Sequence, residues 1–183
     1  MDPQFIHACH SGDLNQVIHL ADDVQGKDNI IDAVCFACEH GHVNVSQWLV
    51  DHFGLAFEHE FLRIACEKGH LNVVQWLVSH FHLTEEHAGL KKSHGLYYLS
   101  CKFGHLDVFQ WLMATFPLSN SKDMCLFGEC LRRIESREVI VWILTNFPDV
   151  EISSKDKKYV EKLRMEPAEK GEIVVVAKRT RTK

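Results

Sequence analysis

Two cysteines and two histidines lie close together in the first quarter of the chain, in an arrangement that could bind zinc. Cys35 and Cys38 are separated by two residues, and His40 and His42 follow directly behind them. Thiolate and imidazole are the usual ligands of structural zinc, and this spacing is typical of half a zinc site. A complete site needs further ligands, and the sequence contains no second Cys pair with this spacing.

Most of the cysteines recur at one position of a phrase that is repeated along the chain. A buried thiol packs as a small apolar side chain. Equivalent positions lie about one repeat apart, which is too far to share a metal ion. We therefore predict packing roles for the cysteines, reduced thiols rather than disulfides, and no metal site. The recurring positions are Cys9, Cys38, Cys66, Cys101 and Cys130, whereas Cys35 and Cys125 lie outside the series.

The 13 histidines could supply catalytic bases, and all of them lie between positions 7 and 105. A histidine beside a cysteine or an aspartate can activate a nucleophile. The sequence contains no Gly-rich phosphate loop, no Gly-x-Ser-x-Gly elbow and no His-Glu-x-x-His helix. We predict that the chain is not an enzyme and has no catalytic residues, cofactor or small-molecule substrate. A metal-dependent enzyme is the least favoured alternative.

The repeated phrase predicts the elements that carry these residues. Residues 37–50 and 65–78 are nearly identical, residues 100–113 form a third clear copy, and weaker copies begin near Ala8 and near Cys130. In each clear copy apolar residues recur at helical spacing on both sides of a glycine, which predicts two short antiparallel helices joined by a tight turn. Such units stack into a solenoid in which each contacts only its neighbours.

The turn between the two helices carries the same two residue types in every clear copy. A glycine stands where the first helix must end in a left-handed conformation, and a histidine follows it. We predict a structural role for these histidines, because a ring nitrogen at a turn can bond a backbone group. The glycines are Gly41, Gly69 and Gly104, and the histidines are His42, His70 and His105.

Four tryptophans share one position of the second helix, and in each case a phenylalanine follows five residues later. Exposed tryptophans could stack on nucleic-acid bases. Residues 1–150, however, carry 10 Lys and Arg against 19 Asp and Glu, and this negative charge repels phosphate. We therefore predict core positions for the tryptophans and do not favour a nucleic-acid partner. The pairs are Trp48 and Phe53, Trp76 and Phe81, Trp111 and Phe116, and Trp142 and Phe147.

The phrase Ala-Cys-Glu-Lys-Gly-His-Leu-Asn-Val-Val-Gln-Trp-Leu at residues 65–77 resembles the ankyrin repeat. The resemblance covers residues 4–150 and implies an all-α, ankyrin-like solenoid of about five helix-turn-helix repeats. The Thr-Pro-Leu-His opening of the family is absent, and the unit between the first two clear copies is about five residues shorter than usual, which predicts a shortened hairpin. Divergent repeats of this kind resemble those of large DNA viruses of amoebae and of intracellular bacteria.

The C-terminal part of the chain differs in composition. Residues 151–183 carry 10 basic and 6 acidic residues. We predict a capping helix over residues 151–164, followed by a basic, partly disordered tail over residues 165–183 with a short Val-rich strand. The basic end, Lys178–Lys183, could solubilise the chain, contact phosphate or direct it to the nucleus. A nuclear or nucleic-acid-associated factor acting through this tail is therefore the alternative function.

By resemblance, the residues between the Ala-Cys pair and the turn glycine face the concave side of the stack and bind a partner protein. They differ from unit to unit, as a specific surface requires, although solvated helix ends would show the same variation. No apolar segment reaches the length of a membrane helix, and we predict an intracellular, cytoplasmic protein-binding module. The predicted partner-binding residues are Glu39, His40, Glu67, Lys68, Lys102 and Phe103, with His10 and Ser11 in the first unit, and Arg63 joins them because it lies one helical turn before Glu67.

Overall fold

A computed structural model describes residues 2–24, 26–84, 95–117 and 136–147, together with residues 157, 158, 160 and 161. All regular structure in these residues is helical, as the sequence predicts. The helices are α1 (Pro3–Ser11), α2 (Leu14–Leu20), α3 (Lys27–Glu39), α4 (Val43–Phe53), α5 (His59–Lys68), α6 (Leu71–His80), α7 (Leu96–Lys102), α8 (Leu106–Thr115) and α9 (Arg137–Asn146), with a short 3-10 turn at Ala21–Asp23.

The first eight helices form four antiparallel pairs, which we call units one to four in chain order. The first helices pack side by side in the order α1, α3, α5, α7, and the second helices follow in the order α2, α4, α6, α8. Helix α9 continues the second row, because the ring of Trp142 meets that of Phe109 on α8 at 5.3 Å. This two-layered row confirms the predicted solenoid of helix pairs.

Parts of the predicted organisation lie outside the described residues. They include the first helix of a fifth unit, Cys125, Cys130 and the tail over residues 165–183. Of the predicted capping helix, residues 157, 158, 160 and 161 are helical and Val160 is buried. The domain boundaries at 150 and 164 stay predictions.

The turns within the units have the predicted left-handed glycines, and they also place each glycine against the next unit. Gly41 has φ 77° and Gly69 has φ 79°. A Cβ atom on Gly41 would lie 2.7 Å from Nδ1 of His70, closer than carbon and nitrogen can approach. Glycine is therefore required here for its backbone conformation and for the space that it leaves.

The core lies between the two rows of helices and is built from the repeated apolar positions. In α4, for example, Val45, Leu49 and Val50 are buried, and in α6 the equivalent side chains are buried in the same pattern. Cys9, Cys38, Cys66 and Cys101 are also fully buried, one in the first helix of each unit. This burial confirms the predicted packing role for these four thiols.

The tryptophans lie at the edge of the core rather than in its centre. Trp48 is half-buried, stacks on the imidazole of His52 at 4.3 Å and meets the ring of Phe53 edge-on at 6.4 Å. It precedes the buried Leu49 by one residue and is therefore turned about 100° away from that side chain around the helix. The ring of the phenylalanine five residues later contacts the tryptophan for Trp48, Trp76 and Trp142.

Candidate interaction surface

The C-terminal ends of the first helices stand in a row because α1, α3, α5 and α7 pack side by side. This row carries every partner-binding residue that the sequence predicts. We call it the helix-end strip, and it consists of His10, Ser11, Phe36, Glu39, His40, Arg63, Glu67, Lys68, Lys102 and Phe103, together with Glu60 in the first turn of α5.

Three histidines, each at the start of a second helix, hold the strip in place by bonding to the first helix of the preceding unit. Each is the first residue before its helix, and its ring N–H donates to a carbonyl oxygen at the end of the preceding unit's first helix. These bonds confirm the predicted structural role. They join His42 Nε2 to the carbonyl of His10 (2.9 Å), His70 Nε2 to that of Glu39 (2.8 Å) and His105 Nε2 to that of Glu67 (2.8 Å).

The equivalent residues are Asp13 in unit one and Ser136 before α9, and each caps the first turn of its own helix. Asp13 accepts a hydrogen bond from the amide of Gln16, and Ser136 accepts one from the amide of Val139.

An ion pair joins the second and third units across the strip. Lys68 Nζ on α5 lies 2.8 Å from Glu39 Oε1 on α3, and both side chains are partly exposed. The hydrogen bond from Lys68 lowers the pKa of Glu39, and the same contact raises the pKa of Lys68. Each group therefore favours the charged form of the other.

A second charged network lies along α5. Arg63 donates through Nε to Glu60 Oε2 (2.8 Å) and through a terminal nitrogen to Glu67 Oε2 (2.6 Å). Its other terminal nitrogen bonds the second oxygen of Glu60, so that this pair is bidentate. These bonds lower the pKa of Glu60 and raise that of Arg63. Surface pairs of this kind add little stability but restrict the side chains to one arrangement.

Aromatic rings occupy the N-terminal end of the strip. The ring of His10 lies 4.8 Å from that of Phe36 and 4.4 Å from that of His40, and His40 Nδ1 donates to the carbonyl of Phe36 at 2.9 Å. Burial, followed by the charge of a protonated His40, lowers the pKa of His10. The sequence reasoning missed Phe36 as a strip residue, although its position one helical turn before His40 places both on one face.

An exposed aromatic ring marks the other end of the strip. Phe103 is 36% exposed, and Lys102 Nζ lies over its ring, 4.6 Å from the centroid. The only other large hydrophobic side chain exposed to this degree among the described residues is Ile18, at 43% on α2. The predicted exposure of Phe103 is therefore confirmed, and its role as an anchor stays a prediction.

Four of the described cysteines are fully buried, and Cys35 is partly buried. Burial raises the pKa of Cys9, Cys35 and Cys38 to about 12, which keeps these thiols uncharged near neutral pH. The sulfur of Cys38 lies 3.6 Å from the hydroxyl oxygen of Ser46. Over the described residues, no three His, Cys, Asp or Glu side chains come together in a way that could hold a metal ion.

Stacked pairs of short helices, joined by left-handed glycine turns and bonded from unit to unit, define a helical repeat protein. Residues 5–87 match the family model of ankyrin repeats in three copies. These residues are therefore ankyrin repeats. A search of curated proteins finds no match. Ankyrin repeats are generally protein–protein interaction modules, and the family is typically non-catalytic.

None of the helices that the structure describes combines the length and the apolar character needed to cross a membrane.

Proposed function

We propose that this chain is a non-catalytic scaffold or adaptor that binds a partner protein through the helix-end strip, in the cytoplasm. The observation that supports the proposal most directly is the continuity of the strip. Ends of four successive first helices lie side by side, and each of the first three is held by a histidine from the next unit. A surface fixed in this way loses little conformational freedom when it binds.

Variation at equivalent positions supports specificity. The residue before each turn glycine is His40 in unit two, Lys68 in unit three and Phe103 in unit four, whereas the buried positions around it repeat. Side chains that differ over a constant core present a different chemistry at each step along the strip. A partner that contacts several units would therefore be recognised by a combination of contacts.

Phe103 is the side chain that we expect to contribute most to binding. Aromatic residues that become buried at an interface commonly dominate its free energy. The ammonium of Lys102 already covers one side of the ring. A partner side chain that packs against the remaining exposed part would exclude water from both groups.

The proposal is tested by affinity capture with the intact chain and quantitative mass spectrometry. The variant Lys68→Glu/Phe103→Ala alters the strip, and Ile18→Ala/Gln75→Glu makes comparable changes at exposed positions of α2 and α6. We expect a set of captured proteins that is lost with the strip variant and kept with the control. Equal capture by both variants would place binding elsewhere, provided that both retain the wild-type melting temperature.

A further inference from the structure

Three imidazoles meet at the boundary between units one and two, and a fourth, that of His7, acts electrostatically on His10. His7 and His10 lie on α1, His40 follows the last residue of α3, and His42 precedes α4. The rings of His10 and His40 are 4.4 Å apart, and those of His40 and His42 are stacked at 6.2 Å. His42 also bonds the backbone of His10, so the cluster is part of the contact that holds the two units together.

One carboxylate acts on His10 within this cluster. The charged or titratable groups that act on His10 are His7 on its own helix, Glu39 and His40 at the end of α3, and His42 at the start of α4. Glu39 is the one carboxylate among them, and it is already bonded to Lys68. Protonated neighbouring imidazoles would therefore repel one another, and the carboxylate of Glu39 that could offset their charge is shared with Lys68.

Among the described units, unit one has a neighbouring unit on one side only. Among the described residues, α1 packs against its own partner α2 and against α3, whereas α3 and α5 each have a first helix on both sides. Terminal units of a repeat array have one interface instead of two and open at a lower free energy than the interior.

We propose that this histidine cluster makes the docking of the first helix pair onto the stack acid-sensitive, so that mild acid releases residues 3–20 while the interior units stay folded. Protonated histidine clusters that weaken an interface are a known physical form of pH response. This inference is independent of what the helix-end strip binds.

The direction of the effect follows from the lowered pKa of His10. In the docked unit the neutral imidazole is favoured by burial and by His40, and undocking removes both influences. The undocked unit therefore binds protons more readily. Docking is at full strength above the ordinary pKa of 6.5 and weakens as the pH falls below that value.

Hydrogen exchange measured by mass spectrometry on the full chain tests the proposal. Labelling at pH 7.5 and 5.5, with times scaled for the intrinsic exchange rate, compares peptides from residues 3–20 with peptides from residues 59–80. We expect the protection of residues 3–20 to fall at least about threefold more than that of residues 59–80 between the two pH values. An equal loss in both segments would overturn the proposal.

Variants separate the cluster from a general effect of acid. His10→Gln/His40→Gln removes both contacting imidazoles, and His19→Gln on the exposed side of α2 is the matched control. We expect the double variant to abolish the extra loss at residues 3–20 and the control to retain it. Proton NMR titration gives a second measurement, since the pKa of His10 should rise in His40→Gln. An unchanged His10 titration together with unchanged acid sensitivity would contradict the proposal.

Discussion

Glu39 is held twice by the unit that follows it. Its carbonyl oxygen accepts a hydrogen bond from His70 Nε2 at 2.8 Å, and its carboxylate accepts one from Lys68 Nζ at 2.8 Å. His70 and Lys68 lie on either side of Gly69, the left-handed turn of unit three. The same turn therefore fixes both the backbone and the side chain of a residue in the preceding unit, which links stacking directly to the shape of the proposed binding surface.

The packing of His70 against Gly41 predicts how alanine substitutions will combine. An alanine in a left-handed conformation costs about 1–2 kcal/mol. Gly41→Ala should destabilise the fold by more than this, because its Cβ would meet the imidazole of His70 at 2.7 Å. Gly54→Ala is the matched control, since Gly54 has φ 59° and nothing within 4 Å of a Cβ. In a His70→Ala background the cost of Gly41→Ala should fall to that of Gly54→Ala. Denaturant unfolding measures all four variants, and strict additivity would show that the imidazole does not set the cost.

The Glu39–Lys68 pair predicts a defined pH dependence. Because the pKa of Glu39 is lowered in the folded state, its contribution to stability is present at neutral pH and is lost as the pH falls below the ordinary value of 4.5. In Lys68→Gln, carboxyl NMR titration should show the pKa of Glu39 returning towards 4.5. Glu60 is the internal control, because its partner is Arg63 and its pKa should not change. An unchanged pKa of Glu39 in Lys68→Gln would mean that the pair is not formed in solution.

The position after α6 predicts a stabilising substitution. His82 is the one non-glycine residue with positive φ, at 49°, among the described residues, and the equivalent position after α4 is Gly54. His82→Gly should stabilise the fold by about 0.5 kcal/mol, since relief of left-handed strain outweighs the greater freedom of glycine in the unfolded chain. Gln75→Gly, at an exposed position inside α6, should instead destabilise by about 1 kcal/mol. Thermal unfolding compares the two, and a loss of stability in His82→Gly would be the contrary result.

The partial burial of the tryptophans sets the size of their contribution. Trp76→Ala should cost about 3 kcal/mol, the lower end for a tryptophan deletion, because the ring packs on Phe81 and His80 at the core edge. Trp142→Ala, nearer the end of the stack, should cost less, although it loses the edge-on contact with Phe109. Gln75→Ala, at an exposed position, gives the reference loss of stability for an alanine substitution. Small and equal losses of stability in both tryptophan variants would argue against a stack in which each unit stabilises its neighbours.

Removal of residues 165–183 tests the alternative function. If the repeats bind the partner, the truncated chain should keep its helical signal, its melting temperature and its captured proteins, because chain ends beyond a folded core are commonly dispensable. A salt titration against duplex DNA is the accompanying measurement. DNA binding that falls steeply with salt and disappears on truncation, with unchanged capture by the Lys68→Glu/Phe103→Ala variant, would favour the nucleic-acid-associated function.

The sequence alone determined the repeating architecture, because its signals are local. The apolar spacing around residues 65–78 specifies two helices, and Gly69 specifies the turn between them. The recurrence of this pattern specifies the stack, since a single pair cannot bury its own apolar face. A backbone-bonding role for His70 also follows from its place in the turn, as does the exposed position of Phe103 at the end of a first helix.

Only the tertiary structure decided which groups meet. The carbonyl that His70 bonds is 31 residues away along the chain, and Lys68 and Glu39 are paired across two units. Neither contact has a signature in local spacing, because both depend on the offset between neighbouring units. The same offset brings His10 against Phe36 and His40. Helical periodicity fixes which way a side chain faces on its own helix, but the packing of one helix on the next fixes what it faces.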